Sequence, residues 1–202
     1  MDRFPKIAVT PSFLIMIALL LLMLPMPWTV SFLIASLVHE IGHVIALRLL
    51  GITILGVSID HGGANIRTEP ITSAQEVITA LAGPLSGISL LMVSGTYPRI
   101  AFCGCVQGLI NLIPIYPSDG GRILNAAVLA LLPDKLAVYA MHIVKAMILI
   151  SMGIVSAWLC FNLKMGLLAF APMGLIWIKG AISSSMPIKY CLQRKGKKGR
   201  IQ

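Results

Sequence analysis

The 202-residue chain carries 57% apolar side chains and only 11% charged ones, with a mean hydropathy of +0.92. Soluble domains carry about 25% charged residues, so a water-soluble globule is excluded: too few charges are present to cover its surface, and the missing solvent is lipid. The net charge of +9 does not point to nucleic acid, because six of the 16 basic residues fall between Lys189 and Arg200 while the apolar stretches hold very few.

Crossing about 30 Å of hydrocarbon takes roughly 20 mostly apolar helical residues, and six windows meet that need. The first runs from Ile7 to Leu24 and stops at Pro25 and Pro27; the second runs from Trp28 to Leu50. Between Gly51 and Glu69 the pattern changes to β-branched and small residues (Ile52, Ile54, Val57, Ile59, Ala64, Ile66) broken by Gly56, Gly62 and Gly63, which predicts a short hairpin. An open strand edge cannot face lipid, so this hairpin must pack on the helices or line a wet cavity. The third window, Ala74 to Val93, opens with a candidate capping box of Ser73 and Glu76. The fourth covers Ile100 to Ile115. The apolar piece Ile123 to Leu132 is too brief to cross and is expected to lie partly embedded. The fifth window covers Leu136 to Phe161 and the sixth Met165 to Ile182.

Basic residues collect on the cytoplasmic side of a membrane. With both termini inside, Arg3, Lys6, Arg48, Arg67, Arg122, Lys135, Lys179 and the six tail residues lie inside or at the inner boundary, Lys145 lies within the fifth window, and only Arg99 and Lys164 lie outside. No internal repeat, low-complexity block or long linker interrupts the chain. The expected fold class is therefore an all-α polytopic membrane protein with about six transmembrane helices and a short re-entrant β-hairpin, residues 1–185, followed by a basic cytoplasmic tail, residues 186–202. That tail is suited to anionic lipid heads. The first window lacks a small-residue cleavage site and so reads as a span, not a signal peptide.

The second window holds His39-Glu40-Ile41-Gly42-His43. Residues four apart share a helix face, so both imidazoles can grip one metal ion with Glu40 beside it as a general base. Shuffling the chain's four His and three Glu would give this pattern in roughly one arrangement in a thousand. Ionisable groups within a span are costly and normally mark a site. A catalytic Zn²⁺ takes three protein ligands and leaves a position open. The best candidate for the third is Asp119, in the proline-broken stretch Asn111-Leu-Ile-Pro114-Ile-Tyr-Pro117-Ser-Asp119-Gly120-Gly121. By spacing alone, Asp119 could equally be a solvated or capping residue of an ordinary Pro/Gly turn. His61 beside Gly62 reads as a solvated hairpin residue, and His142 with Lys145 as a pair that snorkels or bonds within the bundle. The four cysteines lack metal-finger spacing and read as small buried residues or reduced thiols.

HEIGH in an apolar helix, then Ala82-Gly83-Pro84-Leu85, then NLIPIYPSDGGRIL, resembles the site-2 protease family of intramembrane zinc metalloproteases, and within it the stage IV sporulation protease branch. The resemblance implies that Asp119 is the third zinc ligand beside His39 and His43, that Glu40 is catalytic, that Asn111 engages substrate, and that Gly62 and Gly63 belong to a strand region that pairs with unwound substrate. It implies a zinc metalloendopeptidase whose substrate is a membrane-associated protein such as a sporulation sigma-factor precursor, with a membrane regulatory protein as a further partner. The sequence departs from the branch in two places. A basic tail stands where the sporulation proteases carry a nucleotide-sensing CBS domain, so regulation by nucleotide bound in cis is not expected, and Ser118 stands where Leu is common. Two rival readings use the same residues: a metal transporter with His39, His43 and Asp119 as a transit site, and an inactive relative that binds membrane helices without cutting them.

Overall fold

The computed structural model describes residues 6–60 and 63–163. The chain divides into two compact units, Met1–Ile113 and Pro114–Gln202.

In the first unit a short strand, β1 (Lys6–Val9), leads into helix α1 (Pro11–Met23). The expected first span therefore begins as a strand, and its helix has only 13 residues, about 20 Å at 1.5 Å per residue. Pro11 accounts for the change. A residue before proline is driven to extended backbone, and Thr10 sits at φ −89°, ψ 151°, donating from its N–H to the Ile59 carbonyl at 2.9 Å, so it prolongs the strand pairing up to the start of the helix. Every side chain of α1 is at least partly exposed within the unit, as expected of a helix bathed in lipid.

Helix α2 (Met26–Leu49) opens on Pro25 and Pro27 and is long enough to cross a bilayer. Its buried face is Ala35, His39, Gly42, His43 and Ala46, spaced by three and four. The helix ends in a Schellman turn: Gly51 at φ +68° donates to the Arg48 carbonyl and Ile52 to the Leu47 carbonyl, with Ile52 and Leu47 both buried. That turn feeds β2 (Ile54–Asp60), which pairs antiparallel with β3 (Gly63–Thr68) and parallel with β1. The expected hairpin is present, and β1 makes it a three-stranded sheet of order β1-β2-β3 in which β3 is an edge.

Helix α3 (Ser73–Ser89) continues as a 3₁₀ turn (Leu90–Val93), and α4 (Pro98–Asn111) follows. The capping box falls one residue earlier than expected: the Thr72 hydroxyl accepts from the Gln75 N–H, and the Gln75 carboxamide accepts from the Thr72 N–H. Helix α4, at 14 residues, is shorter than the expected fourth span, the chain leaving helical geometry before Pro114. Helices α2, α3 and α4 pack together as the core of this unit. Small residues let α3 and α4 approach closely, since a Cβ on Gly87 would meet the Gly104 carbonyl oxygen at 3.0 Å and one on Gly104 would meet the Gly87 carbonyl oxygen at 2.5 Å.

The second unit holds α5 (Asp119–Leu131), capped by Ser118, and α6 (Asp134–Leu163), which packs against α5. At 30 residues α6 spans about 45 Å. Three described helical stretches are long and apolar enough to cross a membrane: Met26–Leu49, Ser73–Val93 and Lys135–Val155. The expected sixth span and the basic tail lie outside the described residues.

Candidate metal centre

One turn of α2 brings His39 and His43 together. Both are buried, and their Nε2 atoms face each other at 3.2 Å with the ring planes at 80°. The Nδ1 of His43 lies 2.7 Å from the Thr79 carbonyl of α3. A carbonyl only accepts, so Nδ1 carries the proton, and the Nε2 of a neutral His43 presents its lone pair toward His39. Such a carbonyl brace behind an imidazole is the common outer support of a metal-binding histidine.

Gly83 of α3 completes the cradle. A Cβ added there would run into Nε2 and Cε1 of His43 and come within 2.9 Å of His39 Nε2. A methyl group would thus fill the space flanked by the two ring nitrogens. The spacing also fits zinc: two nitrogens at about 2.0–2.1 Å from a tetrahedral ion stand about 3.3–3.4 Å apart, close to the 3.2 Å here. Gly42 seats α2 equally tightly on α3, since its Cβ would press on the Ser86 hydroxyl and come within 2.6 Å of the Ala82 carbonyl oxygen. Ser86 itself donates to the Val38 carbonyl at 3.0 Å.

Glu40 lies beside the histidines in sequence and turns toward the sheet. Its Oε1 accepts from the Ala64 N–H of β3 at 3.0 Å, while its Oε2 is buried with no hydrogen-bond partner among the described residues. Gly63 is needed for this approach, because it adopts φ +115° and its Cβ would lie 2.8 Å from Glu40 Oε1. Gly62 and His61 lie outside the described residues. Asn111 is half-buried at the last position of α4.

In the second unit, Asp119 opens α5. It is buried, and its Oδ1 accepts from the Arg122 guanidinium at 3.3 Å. Ser118 caps this turn, its hydroxyl accepting from the Gly121 N–H and donating to the Ile115 carbonyl. His39 and His43 in the first unit and Asp119 in the second are each buried, and two imidazoles and a carboxylate are donor types that suit Zn²⁺.

Several contributors were not singled out from the sequence. Gly83 lies inside the Ala82-Gly83-Pro84-Leu85 motif, but only packing shows what a side chain there would strike. Nothing in the sequence marks the Thr79 carbonyl, Ser86 or Arg122. Elsewhere, His142 is exposed and donates from Nδ1 to the Val138 carbonyl one turn back. Cys103 and Cys105 are free thiols.

No known family profile matches the chain. Zinc metalloprotease MJ0392 of Methanocaldococcus jannaschii is 32% identical over 116 residues, an alignment covering 49% of this chain. The chain thereby spans about a third of that relative's length, 34%. A solved structure, the site-2 protease from Methanocaldococcus jannaschii, superposes with a TM-score of 0.63 at 21% identity, covering 89% of this chain and 91% of that one. The chain shares the fold of that protease. With these similarities and its long apolar helices, it is an integral membrane protein.

Proposed function

We propose that the chain is an intramembrane zinc metalloendopeptidase of the site-2 type, in which His39, His43 and Asp119 hold the ion and Glu40 moves the proton. The observation that carries this reading is the α2 cluster: two ring nitrogens 3.2 Å apart, one braced by a carbonyl, facing a glycine that leaves room for an ion. Zinc bound there would supply Lewis acidity toward water and the substrate carbonyl. Glu40 fits the role of general base, because one carboxylate oxygen is anchored by Ala64 and the other is left to take the proton of the attacking water. That proton then passes to the leaving amine.

A helical peptide bond is shielded by its own hydrogen bonds, so the substrate must unwind before it is cut. The edge of β3 beyond the Ala64 N–H that Glu40 engages, unpaired with any strand among the described residues, offers an extended segment main-chain partners by strand addition. Gly63 keeps that edge close to Glu40, and Asn111 and Gly62 serve substrate binding. In the cell, the chain crosses the bilayer six times with both termini cytoplasmic and cuts a membrane-tethered protein, of which a sporulation sigma-factor precursor is the leading candidate, under a membrane regulatory protein.

The test is co-expression of candidate membrane-tethered precursors with the wild-type chain and with Glu40→Gln, comparing product sizes on a blot and zinc content after purification. Glu40→Gln is expected to retain zinc and lose cleavage by at least about a hundredfold. A variant that binds zinc and still cuts would overturn Glu40 as the base, and failure of the wild type to cut any precursor would overturn the protease reading.

A further inference from the structure

Strand β3 holds an unused cation beside the proposed substrate path. Arg67 is exposed and makes no hydrogen bond or ion pair among the described residues, although it lies only three positions from Ala64, whose N–H is held by Glu40. An arginine placed only to stabilise the sheet would be expected to find a carboxylate. Here the strand partner of Arg67 is Gly56, with no side chain to offer.

The ladder fixes where this cation points. Because the Ala64 N–H is directed away from β2, the alternation of an antiparallel pair sends the main-chain groups of Ala64, Ile66 and Thr68 outward to the free edge. Asn65 and Arg67 bond toward β2, and both side chains are exposed on one face of the sheet. A segment added along the edge would pair with the N–H and carbonyl of Ile66. Its residue opposite Arg67 would place its side chain on the same face, with Cβ atoms about 4.5–5.5 Å apart. That residue is three positions from the one opposite Ala64, which is the one beside Glu40.

We propose that Arg67 is a specificity-determining residue that selects substrates with an acidic side chain three positions from the residue beside the cleaved bond; this rests on the protease reading and on strand addition at β3. Neighbouring Asn65 adds a neutral polar contact on the same face, so the favoured segment is polar and acidic on that face and unconstrained on the other.

The zinc-loaded full-length chain in detergent is incubated with a mixed-sequence peptide library of equal Asp, Glu, Lys and Arg content, and product termini are sequenced by mass spectrometry for the wild type, Arg67→Gln, Arg67→Glu and the Glu40→Gln background control. The expected wild-type profile is enriched about three- to fivefold for Asp or Glu at one position, the third or the fourth residue from the cut, the upper range of an exposed ion pair. Enrichment disappears in Arg67→Gln and turns to Lys or Arg in Arg67→Glu. Glu40-dependent cutting with one unchanged profile in all three chains overturns the role of Arg67 and leaves the protease reading standing. No Glu40-dependent cutting by the zinc-loaded wild type overturns both together.

Discussion

Replacing Gly83 with Ala tests the metal centre through a residue that carries no donor atom. An alanine Cβ would lie 2.9 Å from His39 Nε2 and closer still to His43 Nε2, against an ordinary van der Waals contact of 3.4 Å or more. His39 must therefore retreat by about half an ångström and His43 further, whereas metal–ligand distances tolerate only about ±0.2 Å. His43 has little freedom to move, since its Nδ1 is held by the Thr79 carbonyl at 2.7 Å. A loss of at least about a hundredfold in zinc affinity, ~2.7 kcal/mol, is expected. Helix propensity acts in the opposite direction, Ala being favoured over Gly by about 0.8–1 kcal/mol in a helix interior, so helicity should hold while the metal is lost. Competition of the detergent-solubilised chain against a chromophoric zinc chelator measures the affinity, and circular dichroism reports the fold. Gly83→Ala binding zinc within threefold of the wild type, with helicity intact, would refute the cradle.

Other perturbations separate the parts of the site. Ile66→Pro removes an N–H that faces the free edge and not β2, a position where proline is tolerated; zinc content should hold while cleavage falls at least about tenfold in the precursor assay. Arg122→Gln removes the guanidinium from Asp119 Oδ1, and zinc affinity is expected to fall about tenfold, with Arg122→Lys intermediate, as chelator competition would record. Gly104→Ala places a Cβ 2.5 Å from the Gly87 carbonyl oxygen and 2.7 Å from Leu90 Cδ1. Overpacking of this kind costs about 1–3 kcal/mol, visible as a lower unfolding midpoint in detergent.

Much of the site was written in the order of residues along the chain. A 3.6-residue period puts His39 and His43 on one face whatever surrounds them, and the cost of ionisable groups in an apolar helix already marks that face as a site. The apolar windows predicted the long helices for the same local reason, since length and composition alone decide whether a helix can sit in lipid. The β-branched and small residues broken by glycines after Gly51 likewise predicted the hairpin.

Contacts between distant segments decided the rest. Pairing of β1 with β2 takes the first residues out of the expected span, and a partner 50 positions away leaves no mark in a local pattern. The capping box shifted by a single residue because Thr72 and Ser73 offer the same hydroxyl chemistry and only the chain's path into α3 selects between them. Likewise, the proton on His43 Nδ1 and the room left by Gly83 depend on how α3 packs against α2, and the grip of Ala64 on Glu40 depends on how β3 does. Sequence alone determined that two imidazoles share one helix face with a carboxylate close by in the chain, because donor type and helical spacing are local properties. Only the packed structure decided how those donors are aimed, because the atoms that orient them are backbone groups and missing side chains, which have no chemical signature until other segments close around them.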